Sequence, residues 1–159
     1  MTSQDKIFTR EDLIKQVTVW KQEGQRVVFT NGCFDILHLG HVDYLEKARA
    51  LGDKLVVGVN TDTSVNRLKG PSRPLQDELS RARIMASLLF TNAIVLFDEE
   101  TPYELIKSVM PDILVKGDDY TVQNIVGHDI VLQNGGAVKT IALVKGYSTS
   151  NVVAKIKNN

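Results

Sequence analysis

The sequence predicts one doubly wound α/β domain on a five-stranded parallel sheet, and three observations carry that prediction. Short apolar runs alternate with segments of helical periodicity along the chain. The runs are apolar nearly throughout, as strands covered on both faces must be. The stretches between them are long enough for helical crossovers, which in parallel sheets are right-handed. At 159 residues the chain suits a single domain, 1–159, with a real core. Residues 1–25 form a helical extension, and 26–156 form the core of the domain.

Composition narrows the function. Nineteen basic and nineteen acidic residues cancel, so nothing points to a bulk polyanion such as nucleic acid. A small anionic ligand needs only a local cluster of positive charge. The single cysteine, Cys33, rules out an internal disulfide framework and suits a reducing cytoplasm. The opening MTSQDKIFTREDL is too polar for a signal peptide, and no apolar run approaches the roughly 20 residues needed to span a bilayer. The expectation is a cytoplasmic protein without a membrane partner.

Thr9 to about Glu23 reads as an amphipathic helix. Thr9 caps it, Glu11 and Asp12 occupy its first turn, and Leu13, Ile14, Val17 and Trp20 form its apolar face. Arg26 to Thr30 is the first strand. The helix from about Leu39 to Leu51 follows, closed by Gly52, and Lys54 to Asn60 is the second strand. Thr61 to Pro74, polar, basic and broken by Gly70, Pro71 and Pro74, reads as a long functional loop. Asp77 to about Phe90 is helical, and Ala93 to Phe97 is the third strand. Thr101-Pro102-Tyr103-Glu104 reads as a capping box with proline at the first helical position, and Pro111 marks that helix's end. Asp112 to Lys116 is the fourth strand, Thr121 to Asn134 a helix weakened by Gly127, and Val138 to Val144 the fifth strand. A last helix follows Gly146-Tyr147-Ser148-Thr149-Ser150.

The chemistry concentrates after the first strand. Phe29 to His41 passes from strand through a glycine turn into a helix that opens with two histidines three residues apart. A helix N-terminus presents unpaired N–H groups and the positive end of the helix dipole, so this geometry binds phosphate. His38 and His41 add donors, and Gly40 lets a ligand approach the backbone. Helix capping and metal ligation are the other uses of such a pair. Zinc needs further ligands, and only Cys33 and His128 remain.

Gly32-Cys33-Phe34-Asp35-Ile36-Leu37-His38-Leu39-Gly40-His41 resembles the signature of the cytidylyltransferase-like nucleotidyltransferases. Gly146 to Ser150 resembles that family's serine/threonine-rich turn, and the Lys-Gly-Asp-Asp-Tyr that ends at Tyr120 resembles its base loop. The resemblance runs from about Arg26 to Ile156 and implies a Rossmann-like domain of the His-x-Gly-His type. Leu68 to Pro74 and Asp98 to Pro102 look most like the branch that adenylylates D-glycero-β-D-manno-heptose 1-phosphate. That branch occurs freestanding or as the C-terminal half of a bifunctional ADP-heptose synthase. No sugar-kinase domain is present, so a freestanding form or an isolated domain is implied.

The resemblance implies that a sugar 1-phosphate attacks the α-phosphorus of ATP, with Mg²⁺ assisting and no covalent enzyme intermediate. ADP-heptose, a precursor for lipopolysaccharide or surface glycan, and pyrophosphate result. It also implies a homodimer. Under it, His38 and His41 contact the triphosphate, and Lys69 bridges the acceptor phosphate and the α-phosphate. Gly32, Cys33, Phe34 and Gly40 line the nucleotide side, and Cys33 reads as a small packed residue rather than a nucleophile. Ser148, Thr149 and Ser150 cradle the β- and γ-phosphates or cap the last helix. Gly117 and Asp118 lie against adenine or ribose. Arg73 holds a phosphate bidentately, or belongs to a solvated basic loop. Asp35 orients a histidine, reaches Mg²⁺ through water, or caps the turn. Asp62 faces the sugar phosphate or caps the next helix. Arg81 and Arg83 are either phosphate contacts or solvated, and His128 reads as a helix-surface residue.

One departure separates the chain from cytidine-nucleotide relatives. Those carry Arg-Thr-x-Gly before the serine/threonine turn, whereas here Leu143-Val144-Lys145-Gly146 stands there. The arginine is missing, and Lys145 is one replacement for its charge. Rival readings are a nucleotidyltransferase with another acceptor, such as glycerol 3-phosphate, and an inactive nucleotide-binding regulatory module. A dinucleotide-dependent oxidoreductase is disfavoured, because no Gly-x-Gly-x-x-Gly follows the first strand.

Overall fold

In the computed structural model, which describes residues 1–159, every strand of one six-stranded sheet runs parallel. The strands are β1 (Ile7–Phe8), β2 (Val27–Gly32), β3 (Lys54–Asn60), β4 (Ala93–Phe97), β5 (Ile113–Gly117) and β6 (Ala137–Ile141), in the order β1-β4-β3-β2-β5-β6. The helices are α1 (Arg10–Gln22), α2 (Leu39–Ala50), α3 (Asp62–Lys69), α4 (Glu78–Ser87), α5 (Tyr103–Val109), α6 (His128–Gln133) and α7 (Thr149–Lys157). The doubly wound prediction holds. Leu13, Val17 and Trp20 of α1 pack with Leu105 and Ile106 of α5 on one face, and Tyr44, Leu45, Ala82 and Met85 of α2 and α4 pack on the other. Val56 and Val57, adjacent in β3, go to opposite faces.

The sheet has six strands rather than the expected five. The extra strand, Ile7–Phe8, pairs with Ile94 and Val95 at the edge beside β4. Two residues carry no periodicity, so only the neighbouring strand reveals them. Residues before 25 therefore supply an edge strand as well as a helix.

Three further readings need correction. The polar stretch after β3 is not a loop from end to end. Thr61 Oγ1 accepts from Ser64 N–H, α3 runs to Lys69, and Gly70 at φ +94° closes it. The capping box at Thr101 does not form. Pro102 takes the cap position without a side-chain bond, and Thr101 Oγ1 accepts only a long 3.5 Å bond from Tyr103 N–H. The helix expected from Thr121 to Asn134 divides into a 3₁₀ turn, Val122–Asn124, and α6. Gly127 at φ +86° breaks it, and a Cβ there would meet Ile106 at 2.9 Å.

The Asp98–Glu99 stretch is a brace for the surrounding helices. Asp98 pairs with Arg67 of α3 and accepts from Thr61, while Glu99 pairs with Arg10 of α1 at 2.6 Å. Burial raises the Glu99 carboxyl, but backbone N–H groups and Arg10 outweigh it and hold the group below its usual range.

Candidate active site

The order of strands sets the site's position. From β2 the chain winds to β3 and β4 on one side and returns to β5 and β6 on the other. Connections diverge between β2 and β5, and ligands of such sheets bind beyond the carboxyl ends there. A cavity of about 390 Å³ opens at that point. Its walls come from the turn after β2, the start of α2, Lys69, the end of β5 and the turn before α7.

His38 stands at the cap position of α2, yet its side chain makes no capping bond. The two imidazoles instead stack in the cavity wall, centroids 3.8 Å apart and planes inclined 23°. Phe34 meets the His41 ring edge-on at 5.3 Å. Gly40 has a local reason: a Cβ there would come within 3.0 Å of the His38 ring. Both Nδ1 atoms are buried without a protein partner.

Burial pushes the His41 imidazole down to about 4, helped by the charges of His38 and Lys69; burial lowers His38 too. In the free protein His41 is therefore neutral at pH 7. Its pKa lies below the ordinary 6.5, so the unfolded chain takes up the proton first as pH falls. Stability therefore declines from pH 6.5 to 4, by about 3 kcal/mol for this group. Urea unfolding across that range is expected to show a smaller decline in His41→Phe than in the parent chain. Equal slopes would remove His41 as the cause.

The second helix mouth faces the same cavity. Ser148 Oγ caps α7 by accepting from Asn151 N–H at 3.0 Å, so the capping role of this turn is real. Thr149 Oγ1 lies 3.5 Å from the Ile36 carbonyl and ties the mouth of α7 to the turn before α2. Ser148, Thr149 and Ser150 all line the cavity. Two helix N-termini, two histidines and Lys69 thus converge on one space, which suits a polyphosphate.

The remaining expected residues divide. Gly32, Cys33, Phe34, Asp35, Gly40 and Gly117 line the cavity. Asp118 does not: its Oδ1 accepts from Leu143 N–H at 3.2 Å, and Asp119 and Tyr120 take the lining position. Asp62 and Arg73 lie instead on a neighbouring polar depression of about 490 Å³. Arg83 bonds to Ser3 and Gln4 and is remote in role, and His128 Nδ1 lies 2.9 Å from the Ile125 carbonyl, away from the cavity.

Asp35 is fully buried and fully engaged. Its carboxylate accepts from Arg73 Nε at 2.8 Å and from the N–H groups of Leu75 and Gln76 at 2.9 Å. Burial raises its carboxyl, but the Gln76 and Leu75 N–H groups and Arg73 outweigh burial and hold it below its usual range. Asp35 thereby fastens the segment after Lys69 to the glycine turn, with no oxygen turned to a histidine.

Arg81 joins the same frame. Wholly buried, it donates to the carbonyls of Gln76 and Cys33 and to Asp62 Oδ1 at 2.8 Å. Sequence reasoning missed this, because an arginine in a helix carries no mark of burial. It passed over Tyr44 and gave no individual role to Lys116, Asp119 and Tyr147, which lie within the quoted stretches; all four are in the cavity wall. Lys116 had a signal: a lysine that closes an otherwise apolar strand. No three His, Cys, Asp or Glu side chains come together as a metal site. The residues therefore form no cage for Mg²⁺, an ion commonly held by substrate phosphates, water and one or two carboxylates.

Comparison with known proteins agrees with this geometry. The cytidylyltransferase-like family matches residues 29–154. Bifunctional protein HldE of Azorhizobium caulinodans is 56% identical over 151 residues, 95% of this chain and 32% of that protein. HldE of Syntrophotalea carbinolica is also 56% identical, with 95% and 31% covered. The chain thus spans about a third of the length of these curated relatives. A lipopolysaccharide core biosynthesis protein of Thermoplasma volcanium superposes with a TM-score of 0.62 at 34% identity, over 79% of this chain and all of that one. Pantoate-beta-alanine ligase of Francisella tularensis shares the fold, with a TM-score of 0.59 at 16% identity over 95% of this chain and 76% of that one. With the stacked histidines, the two helix mouths and a match over residues 29–154, the chain belongs to the cytidylyltransferase-like family of nucleotidyltransferases.

Proposed function

We propose that this chain transfers AMP from ATP to D-glycero-β-D-manno-heptose 1-phosphate, releasing pyrophosphate. The observation that supports it best is one cavity that joins His38, His41 and Lys69 to the mouths of α2 and α7. A mere phosphate holder needs one helix mouth, whereas nucleotidyl transfer has two anions to align. The nucleotide assignment follows from the family, and the missing arginine before Gly146 weighs against cytidine nucleotides. The heptose acceptor rests on the resemblance of the Leu68–Pro74 and Asp98–Pro102 stretches and on similarity to HldE and a lipopolysaccharide core biosynthesis protein.

The sugar's phosphate is ionised at pH 7 and needs no strong general base. One of its oxygens forms a bond to the α-phosphorus as the α–β bridging bond breaks, and pyrophosphate carries that electron pair away. The protein's part is alignment and charge stabilisation. His38 and His41 face the triphosphate, Ser148 to Ser150 hold its outer phosphates, and Lys69 spans α-phosphate and acceptor. Gly117 lies toward the adenosine. Asp35 and Arg73 hold the segment after Lys69, and Asp62 approaches the sugar. Mg²⁺ accompanies the triphosphate and offsets its charge. The active form is a cytoplasmic homodimer, which light scattering on the eluting protein checks.

The test is pyrophosphate release from a panel of nucleotides and acceptors. ATP with heptose 1-phosphate is expected to exceed every other pair by at least tenfold. Higher turnover with glycerol 3-phosphate or another sugar phosphate would move the acceptor assignment. No release with any acceptor, despite ATP binding, would leave a regulatory nucleotide-binding module.

A further inference from the structure

The cavity wall holds a second lysine beside Lys69: Lys116, which opens the Lys-Gly-Asp-Asp-Tyr stretch and has no role in the reaction as described so far. Lys116, next to last in β5, stands at the crevice where the connections diverge, and its Nζ donates across to the Asn31 carbonyl near the end of β2, 3.2 Å away. It also lies 5.7 Å from the centre of the Tyr120 ring. One carbonyl satisfies one of three ammonium N–H groups. No ion pair of the chain includes Lys116. Beside it, Asn31 Oδ1 is buried without a partner. Burial pushes the ammonium down to about 8, against the upward pull of Cys33 and Asp119. Lys145, the residue first considered for the missing arginine's charge, is exposed and outside the cavity wall.

An ammonium taken partly out of water with no carboxylate in direct contact is costly, and it attracts an anion that reaches it. The groups it shares the cavity with, two helix mouths and two histidines, are suited to phosphate. We infer that Lys116 is a phosphate-binding residue, bridging β2 and β5 and donating its free N–H groups to a phosphate oxygen of the bound nucleotide, where it supplies the cation that the missing arginine does not. This rests on the phosphate reading of the cavity and is independent of which acceptor is used.

The test is calorimetric titration of Mg-ATP into the full chain and into K116M and K116R from pH 7 to 9.5. K116M is expected to bind ATP at least tenfold more weakly, with its melting temperature within a few degrees of the parent. The parent's affinity is expected to fall as pH rises above about 8, approaching tenfold per pH unit, because the ammonium is being lost. K116R, charged throughout, is expected to lose that pH dependence. A merely structural bridge to Asn31 would not move the pH profile of binding. Unchanged ATP affinity in K116M, or a parent affinity flat to pH 9.5, overturns the inference. If K116M fails to fold, the profiles of the parent and K116R decide. Normal pH-dependent ATP binding without turnover of heptose 1-phosphate would remove the proposed acceptor and leave Lys116 in its role.

Discussion

His41→Ala is expected to abolish pyrophosphate release while leaving a folded protein. Removing one preorganised donor to developing charge typically lowers kcat by about 10²–10³, or about 3–4 kcal/mol. His41 is placed for the larger end. It stacks on His38, meets Phe34 edge-on, and lies in the cavity wall that both helix mouths share. Burial, with the Lys69 ammonium nearby, keeps it neutral before ATP arrives, so the free cavity is spared one buried charge. A triphosphate brought alongside favours the imidazolium and strengthens the hydrogen bond as charge grows on the transferring group. The ring lies in the cavity wall and meets the core only at the edge of Phe34, so the variant is expected to keep the sheet and its packing. Pyrophosphate release beside thermal unfolding is the check. Near-normal turnover in a folded variant would end the assignment.

Asp35→Ala is expected to be the most damaging change for stability near the site, by about 3–5 kcal/mol, the usual effect of taking one partner from a buried ion pair. Arg73 would keep its charge in a half-buried place, and the N–H groups of Leu75 and Gln76 would lose their acceptor. The segment that follows Lys69 would then come loose from the glycine turn, so activity should fall as well. The sign with pH follows from the lowered carboxyl. Its stabilisation is complete above the unfolded value near 3.9 and is lost as pH falls through the lower folded value. Asp35→Asn should therefore flatten acid unfolding below about pH 4. Denaturant melts at pH 7 and pH 3 test both points: equal stability of Asp35→Ala and parent at pH 7 would refute the clamp.

Some of the site was open to reading because it is local. Strand, glycine turn and His-x-Gly-His occupy consecutive residues, and backbone geometry alone sends that sequence into a helix mouth. The serine/threonine turn is equally local: Ser148 caps α7 within four residues of itself. Lys69 was one of three cations, with Arg67 and Arg73, in a polar stretch, and the helix that carries it to the cavity was hidden by that polarity. Asp118 and Asp119 are neighbours of the same kind, and only the pairing of Asp118 with Leu143 N–H separates them.

What the amino-acid order determined by itself was periodicity: five parallel strands, most of the crossover helices, and the glycine turn and helix mouth that follow Thr30. Tertiary structure decided whatever depends on a distant partner. Ile7–Phe8 becomes a strand because β4 offers an edge to it. Arg81 is buried because Cys33, Gln76 and Asp62 surround its guanidinium, and Asp35 becomes a clamp because Arg73, 38 residues away, returns to it. Lys116 lies in the cavity because β5 pairs beside β2. Local preference acts over a few residues, whereas a buried charge is settled by whichever groups the fold brings around it.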